Sequence, residues 1–290
     1  MLIIRAFRST WVVIRLRVQA RDARGSATGC IARVRREKGK ARMKIVVPCK
    51  VVADDQDIVA AADGSLDFGK AKPVISTYDL NAIECAAQLS EADEATTAKA
   101  ITVCNAAMGG NTKLRKDILA RGVDELYMTA DDAVADLDAF ATAAELAKLV
   151  EKAGGFDLII CGDGSADLYA KQTGVQLAAK LDVPYLSEVV SVEAADGKVV
   201  CKRMLATEVE TVEVPLPAVI AVSPDVAQPR IAGMKQILAA GKKPQAVEAA
   251  EAPAAAVVET VAVKAPEQAD RACKIYEDAA EFVAAVKAAL

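Results

Sequence analysis

Short apolar runs alternate with helix-period patterns from Met43 to about Lys243. The runs Lys44–Pro48, Ala100–Cys104, Glu125–Met128, Phe156–Cys161 and Ala218–Val222 are rich in Val and Ile and almost continuously hydrophobic, as parallel strands covered on both faces are. Helices are predicted between them at 78–90, 112–121, 136–153 and 168–181. The first opens on Ser76-Thr77-Tyr78-Asp79, a capping-box pattern, with Leu80, Ile83 and Ala87 on one face. Strand–helix alternation of this kind predicts an α/β fold with a doubly wound, mostly parallel, Rossmann-like sheet. The alternation breaks at 188–214, where period-two runs flank Ala195-Asp196-Gly197 and predict a β-hairpin. Residues 244–268 are Ala/Val/Glu/Pro-rich and read as an extended linker. The arm beyond it, 269–290, reads as a short strand at Lys274–Glu277 and a helix bearing Phe282, Val283 and Val286 on one face. An arm on a linker fits either a partner subunit or the chain's own domain.

Charge divides the chain into unlike parts. Residues 1–42 carry 12 Lys and Arg against 2 Asp and Glu, a local +10, whereas the other 248 carry 24 against 38. The acidic body argues against nucleic-acid binding, which needs clustered cations. No apolar stretch in the basic segment approaches the ~20 residues of a membrane span, and arginines break any signal-peptide core. A basic membrane-surface helix, an Arg-rich targeting peptide and a non-native or disordered extension are the readings of 1–42. The last is preferred because Met43 opens a strand, and it predicts that deleting 1–42 leaves folding and binding intact.

Composition then removes whole classes of chemistry. The chain has no histidine, so no Ser-His-Asp triad, Cys-His pair, histidine metal site or imidazole proton shuttle is available. Its seven cysteines are widely spaced without a C-x-x-C, which gives no metal site and suits a reduced, cytoplasmic setting. The informative stretch is Phe156 to Gly174, where a buried strand meets the turn Gly162-Asp163-Gly164-Ser165 and then a helix. Free amides at a helix start bind phosphate, and Gly162 and Gly164 allow close backbone approach. A β–α turn without a ligand would look much the same. Pro48-Cys49-Lys50 and Asn105 to Gly110 fall at the same sheet edge, where open α/β sheets bind ligands, which favours a nucleotide site. Asp163 and Asp167 form a candidate carboxylate pair, but no nucleophile accompanies them. The expected catalytic set is therefore empty, and so is the metal set.

Five segments, MKIVVPCKVVADDQDI, ISTYDLNAIECAAQL, RKDILARGVDELY, DLIICGDGSADLYAKQTG and LPAVIAVSPDVAQPRIAGMKQIL, occur in this order. Together they resemble the electron transfer flavoprotein (ETF) beta subunit of FixA type, over about residues 43–243. The resemblance implies an electron carrier without independent catalysis, paired with a FixB-type alpha subunit that holds the main FAD. It implies AMP, or a second FAD in electron-bifurcating members that accept from NADH, in this subunit. The implied cofactor contacts are Pro48, Ser76, Thr77, Tyr78, Asp79, Ala106, and the run Ser165, Ala166, Asp167, Leu168, Tyr169, Ala170, Lys171, Gln172, Thr173, Gly174, Val175 and Gln176. The segment holding Pro224, Asp225, Val226 and Arg230, running into Ile231–Ala240, corresponds to the part that docks on acyl-CoA dehydrogenase- or reductase-type redox partners. Carnitine-type acyl-CoA reduction or related anaerobic metabolism is the implied setting. Asp163 stands where family members carry a basic or polar residue, and Tyr169 where they carry an acid, which leaves AMP or FAD open. A stand-alone adenine-nucleotide-binding or hydrolysing protein is the competing class, and the absence of a P-loop weighs against hydrolysis.

Overall fold

In the computed structural model, the backbone is described for residues 2–5, 11–14, 17–19, 43–265 and 273–289, and side chains for 43–265 and 273–289. Most of the basic segment 1–42 therefore lies outside the described residues. The body is a doubly wound α/β fold. Strands β1 (Lys44–Pro48), β2 (Thr97–Cys104), β3 (Glu125–Ala130), β4 (Leu158–Gly162), β5 (Tyr185–Ala195), β6 (Lys198–Met204), β7 (Val209–Pro215), β8 (Ala218–Val222) and β9 (Gln245–Glu248) form one sheet. Their spatial order is β9-β3-β2-β1-β4-β8-β5-β6-β7, and the strand Arg17–Gln19 pairs on the far side of β7. The pairs from β9 to β5 are parallel, and the β5-β6-β7 extension is antiparallel.

Alternation along the central strands explains the two layers. Leu158 and Ile160 of β4 enter one core with Ile45, Ile83, Ile118, Met128 and Ile220. Ile159 and Cys161 enter a second core with Ile101, Leu146, Leu149, Leu177 and Val219. Successive strand side chains point to opposite faces, so a strand hydrophobic at every position requires helices on both sides. Helices α1 (Thr77–Ala92) and α2 (Thr112–Ala120) supply the first, and α3 (Ala139–Lys152) and α4 (Thr173–Leu181) the second.

Four local expectations change. Residues 168–172 are loop rather than the first turn of α4, because Tyr169 and Lys171 take left-handed backbone, φ 46° and 56°. The hairpin gains a third strand, β7, which runs back along β6. The stretch 244–268 is extended where described, but its first part is strapped to the body. β9 extends the sheet beside β3; then the Lys148 ammonium donates to the Glu251 and Ala252 carbonyls, Ala254 N–H to Glu145, and Val257 and Val258 N–H to Asp138. Residues 274–277 form no strand, and the helix of the arm runs over Ala279–Ala289, with Phe282, Val283 and Val286 exposed. No helix among the described residues is long and apolar enough to cross a membrane.

Candidate functional site

The strand order reverses between β1 and β4, the two neighbours from which the chain winds in opposite directions. Open α/β sheets place ligands in the crevice at the carboxyl ends of such a pair, where no crossover covers the sheet. The Pro48-Cys49-Lys50 turn leaves β1 there, and Gly162-Asp163-Gly164 leaves β4. An antiparallel ribbon, Val51–Ala53 with Pro73–Ile75, returns the chain so that Ser76 N–H donates to the Lys50 carbonyl at 2.9 Å. That return brings the start of α1 to the crevice.

Ser76 and Asp79 are placed together here, though not as a capping box. Ser76 makes no side-chain cap; its Oγ accepts from Ala166 N–H at 3.2 Å, across to the β4–α4 loop. Asp79 is buried, and its Oδ2 accepts from Lys50 N–H at 2.7 Å. Gly162 comes so close that a Cβ on it would lie 2.6 Å from Asp79 Oδ1. Long-range donors at β1 and β4 thus take the side chains that local pattern assigns to the helix end.

The β4–α4 loop is held by ion pairs. Lys50 Nζ lies 2.5 Å from Asp167 Oδ2, and Ser165 Oγ donates to Asp167 Oδ1 at 2.5 Å. Burial works against the Asp167 carboxylate, yet the Lys50 and Ser165 hydrogen bonds hold its carboxyl below the ordinary range. Lys171 Nζ lies 2.5 Å from Asp163 Oδ2 and 2.8 Å from Glu188 Oε1, and both carboxylates raise its affinity for a proton. Tyr169 folds back over Gly164 and against Tyr78, with ring centroids 4.9 Å apart. Pro48 is buried, Thr77 is exposed, and Leu168, Ala170, Gln172 and Val175 are exposed on the loop and helix start. Ala106, after β2 on the same edge, donates its N–H to Asp132 at 3.1 Å. Gln176 lines a separate open hollow with Phe140, Lys180 and Val257, and its buried Oε1 has no partner. Sequence reasoning missed Glu188, which sits in a bulge of β5 with φ 57° inside what reads as regular strand alternation.

Burial pushes the Asp79 carboxyl up to about 7, more than its backbone donors lower it. Its ordinary value is about 3.9, so between about pH 4 and 7 the folded chain holds a proton that the unfolded chain has lost. Stability from this group is fully present below about pH 4 and declines as pH rises towards 7. Asp79→Asn removes that decline. Melting temperatures of the two chains recorded from pH 4 to 8 test it, and parallel curves contradict it. The thiols of Cys49 and Cys161 are buried beside Asp79 and pushed upward mainly by desolvation, so they are poor nucleophiles.

The segment after β8 is only partly a free tip. Pro224 and Asp225 are exposed, but Val226 is 8% exposed and packs in the core. Asn81 of α1 donates to the Pro224 and Ala227 carbonyls at 3.1 and 2.8 Å, pulling the turn inward. Arg230 is bound within the chain, to Glu84 at 2.7 Å and Glu91 at 2.5 Å. The exposed apolar residues come later, at Ile231 (95%), Met234 (74%) and Leu238 (69%).

No metal-binding group of His, Cys, Asp and Glu occurs among the described residues. A family model described as the electron transfer flavoprotein domain matches residues 66–277, which spans the ribbon's return strand, the start of α1, the β4–α4 loop, the hairpin and the strap, while β1 and its Pro48–Lys50 loop precede the match.

Proposed function

The chain belongs to the electron transfer flavoprotein domain family, and from that premise we propose that it is the beta, FixA-type subunit of a heterodimeric carrier. It passes electrons between dehydrogenases or reductases through FAD held mainly by a FixB-type alpha subunit. The crevice between β1 and β4 takes an adenine nucleotide, AMP or a second FAD. The observation that carries this reading is the meeting of the Pro48–Lys50 loop, the start of α1 and the β4–α4 loop at the reversal point of the sheet, with Ser76, Lys50, Ser165 and Lys171 around it. Gly162 and Gly164 let the start of α1 and the Tyr169 ring approach the loop backbone more closely than a Cβ would allow, which packs these elements together at the reversal point. When bound, FAD supplies the electron-carrying chemistry; the protein residues bind and orient it.

Two surfaces remain for macromolecular partners. The arm 273–289 exposes Ile275, Phe282, Val283 and Val286, a set that suits the alpha subunit. The face of Ile231, Met234 and Leu238, beside Pro224 and Asp225, suits a small transient interface with an acyl-CoA dehydrogenase- or reductase-type partner. Co-expression with a candidate alpha subunit tests the assignment. A yellow heterodimer that shuttles electrons between a dehydrogenase and an acceptor is the expected result. A monomer that turns over ATP and never binds flavin contradicts it.

A further inference from the structure

Three non-glycine residues with left-handed backbone meet at one ion cluster: Tyr169 (φ 46°), Lys171 (φ 56°) and Glu188 (φ 57°). Such backbone is disfavoured for side chains of this size and persists only where surrounding contacts hold it. The ion pair that links all three is Asp163–Lys171. The Asp163 side chain is 3% exposed, and a carboxylate so placed needs a cation. Lys171 turns back from the loop to supply one, Glu188 bulges out of β5 to share it, and the Tyr169 hydroxyl comes within 3.5 Å of Asp163 Oδ2. Lys171 Nζ also lies 4.9 Å from the centroid of the Tyr169 ring, a cation–π contact. The ring is thereby pinned so closely over Gly164 that a Cβ there would stand 2.2 Å from it. Asp163 Oδ1 is left buried without a partner, so the cluster is not fully satisfied in this arrangement.

We propose that Asp163, Lys171 and Glu188 form a latch that holds Tyr169 across the turn after β4, and that an anionic adenine nucleotide enters when its phosphate displaces the exposed Glu188 carboxylate from Lys171, while the buried Asp163 keeps its cation. The latch rests on the nucleotide reading of the crevice, but its ligand-free half can be tested without it. Lys171 is partly exposed, so the exchange of one anion for another does not require unfolding of the core.

Full-length wild type, Asp163→Asn and Glu188→Gln are compared by hydrogen exchange over 165–172 and by stopped-flow association of AMP and of FAD. Glu188→Gln keeps the Asp163–Lys171 pair and serves if Asp163→Asn fails to fold. Loss of one ion pair is expected to speed loop exchange about fivefold, and nucleotide association by a similar factor. Unchanged loop exchange overturns the latch. Faster exchange with wild-type association overturns its control of entry. Faster exchange in chains that bind neither nucleotide keeps the latch and removes the nucleotide reading.

Discussion

Gly162→Val is expected to destabilise the chain by about 3 kcal/mol and to abolish nucleotide binding. A Cβ at this position would lie 2.6 Å from Asp79 Oδ1, 2.9 Å from the Tyr78 carbonyl carbon and 3.0 Å from Tyr78 Cβ. All three belong to the start of α1, and the two Tyr78 atoms cannot swing aside as a long side chain can. Relief requires α1 to move away from β4, and Ile83 and Ala86 of that helix are fully buried. The same movement opens the crevice and breaks the approach of Gly162 to Asp79. Gly110→Ala is the control, since nothing lies within 4 Å of its added Cβ, and its effect is expected within about 0.5 kcal/mol. Urea denaturation of the three chains decides it; equal midpoints would refute the account of α1 and β4.

Arg230→Met is expected to cost about 2 kcal/mol. Its guanidinium binds Glu84 through Nε and Nη2 and Glu91 through Nη1, and Glu84 is buried on α1. Removing the cation leaves Glu84 with Gln88 and the Arg230 N–H as its remaining donors. Partial exposure of Arg230 keeps the cost below the ~3–5 kcal/mol of a fully buried pair. Pairing Arg230→Met with Glu84→Gln should recover much of the loss. The pH sign follows from Glu84: burial opposes its charge, but Arg230 and Gln88 hold its carboxyl below the ordinary value. The ion pair's contribution is present above the unfolded value of about 4.3 and is lost as pH falls through the lower folded value. Wild type and variant should therefore converge in stability in acid. A constant difference from pH 7 to pH 3 contradicts the assignment. Weaker partner binding by this variant would report α1 and the 223–230 turn as much as a direct contact.

The parallel strands were legible because burial on both faces leaves a continuous apolar run, and Lys44–Pro48 and Ala218–Val222 match their predicted limits. The crevice loops were legible for a related reason: glycine and small residues after a buried strand mark a place where backbone is approached closely. What sequence pattern missed lies in long-range polar bonds. Ser76 and Asp79 read as local caps, but their partners are Ala166 and Lys50. Leu168 to Ala170 carry helical spacing, while Asp163 draws Tyr169 and Lys171 out of helical backbone. The linker composition hid β9, because the carboxylates of Asp131, Asp138 and Glu145 that fasten the strap stand more than a hundred residues earlier. Val226 lies in the segment that the resemblance assigns to docking, but Asn81 draws its turn onto α1 and Val226 packs in the core.

The central claim is that the crevice between β1 and β4 holds an adenine nucleotide in a two-subunit flavin carrier. Cofactor release from the purified heterodimer, with mass spectrometry and flavin quantitation, tests it most directly. The account predicts a second adenylate beside the alpha subunit's FAD, either AMP or another FAD, and its selective loss in Gly162→Val. A wild-type heterodimer that releases a single FAD and no further adenine nucleotide contradicts it.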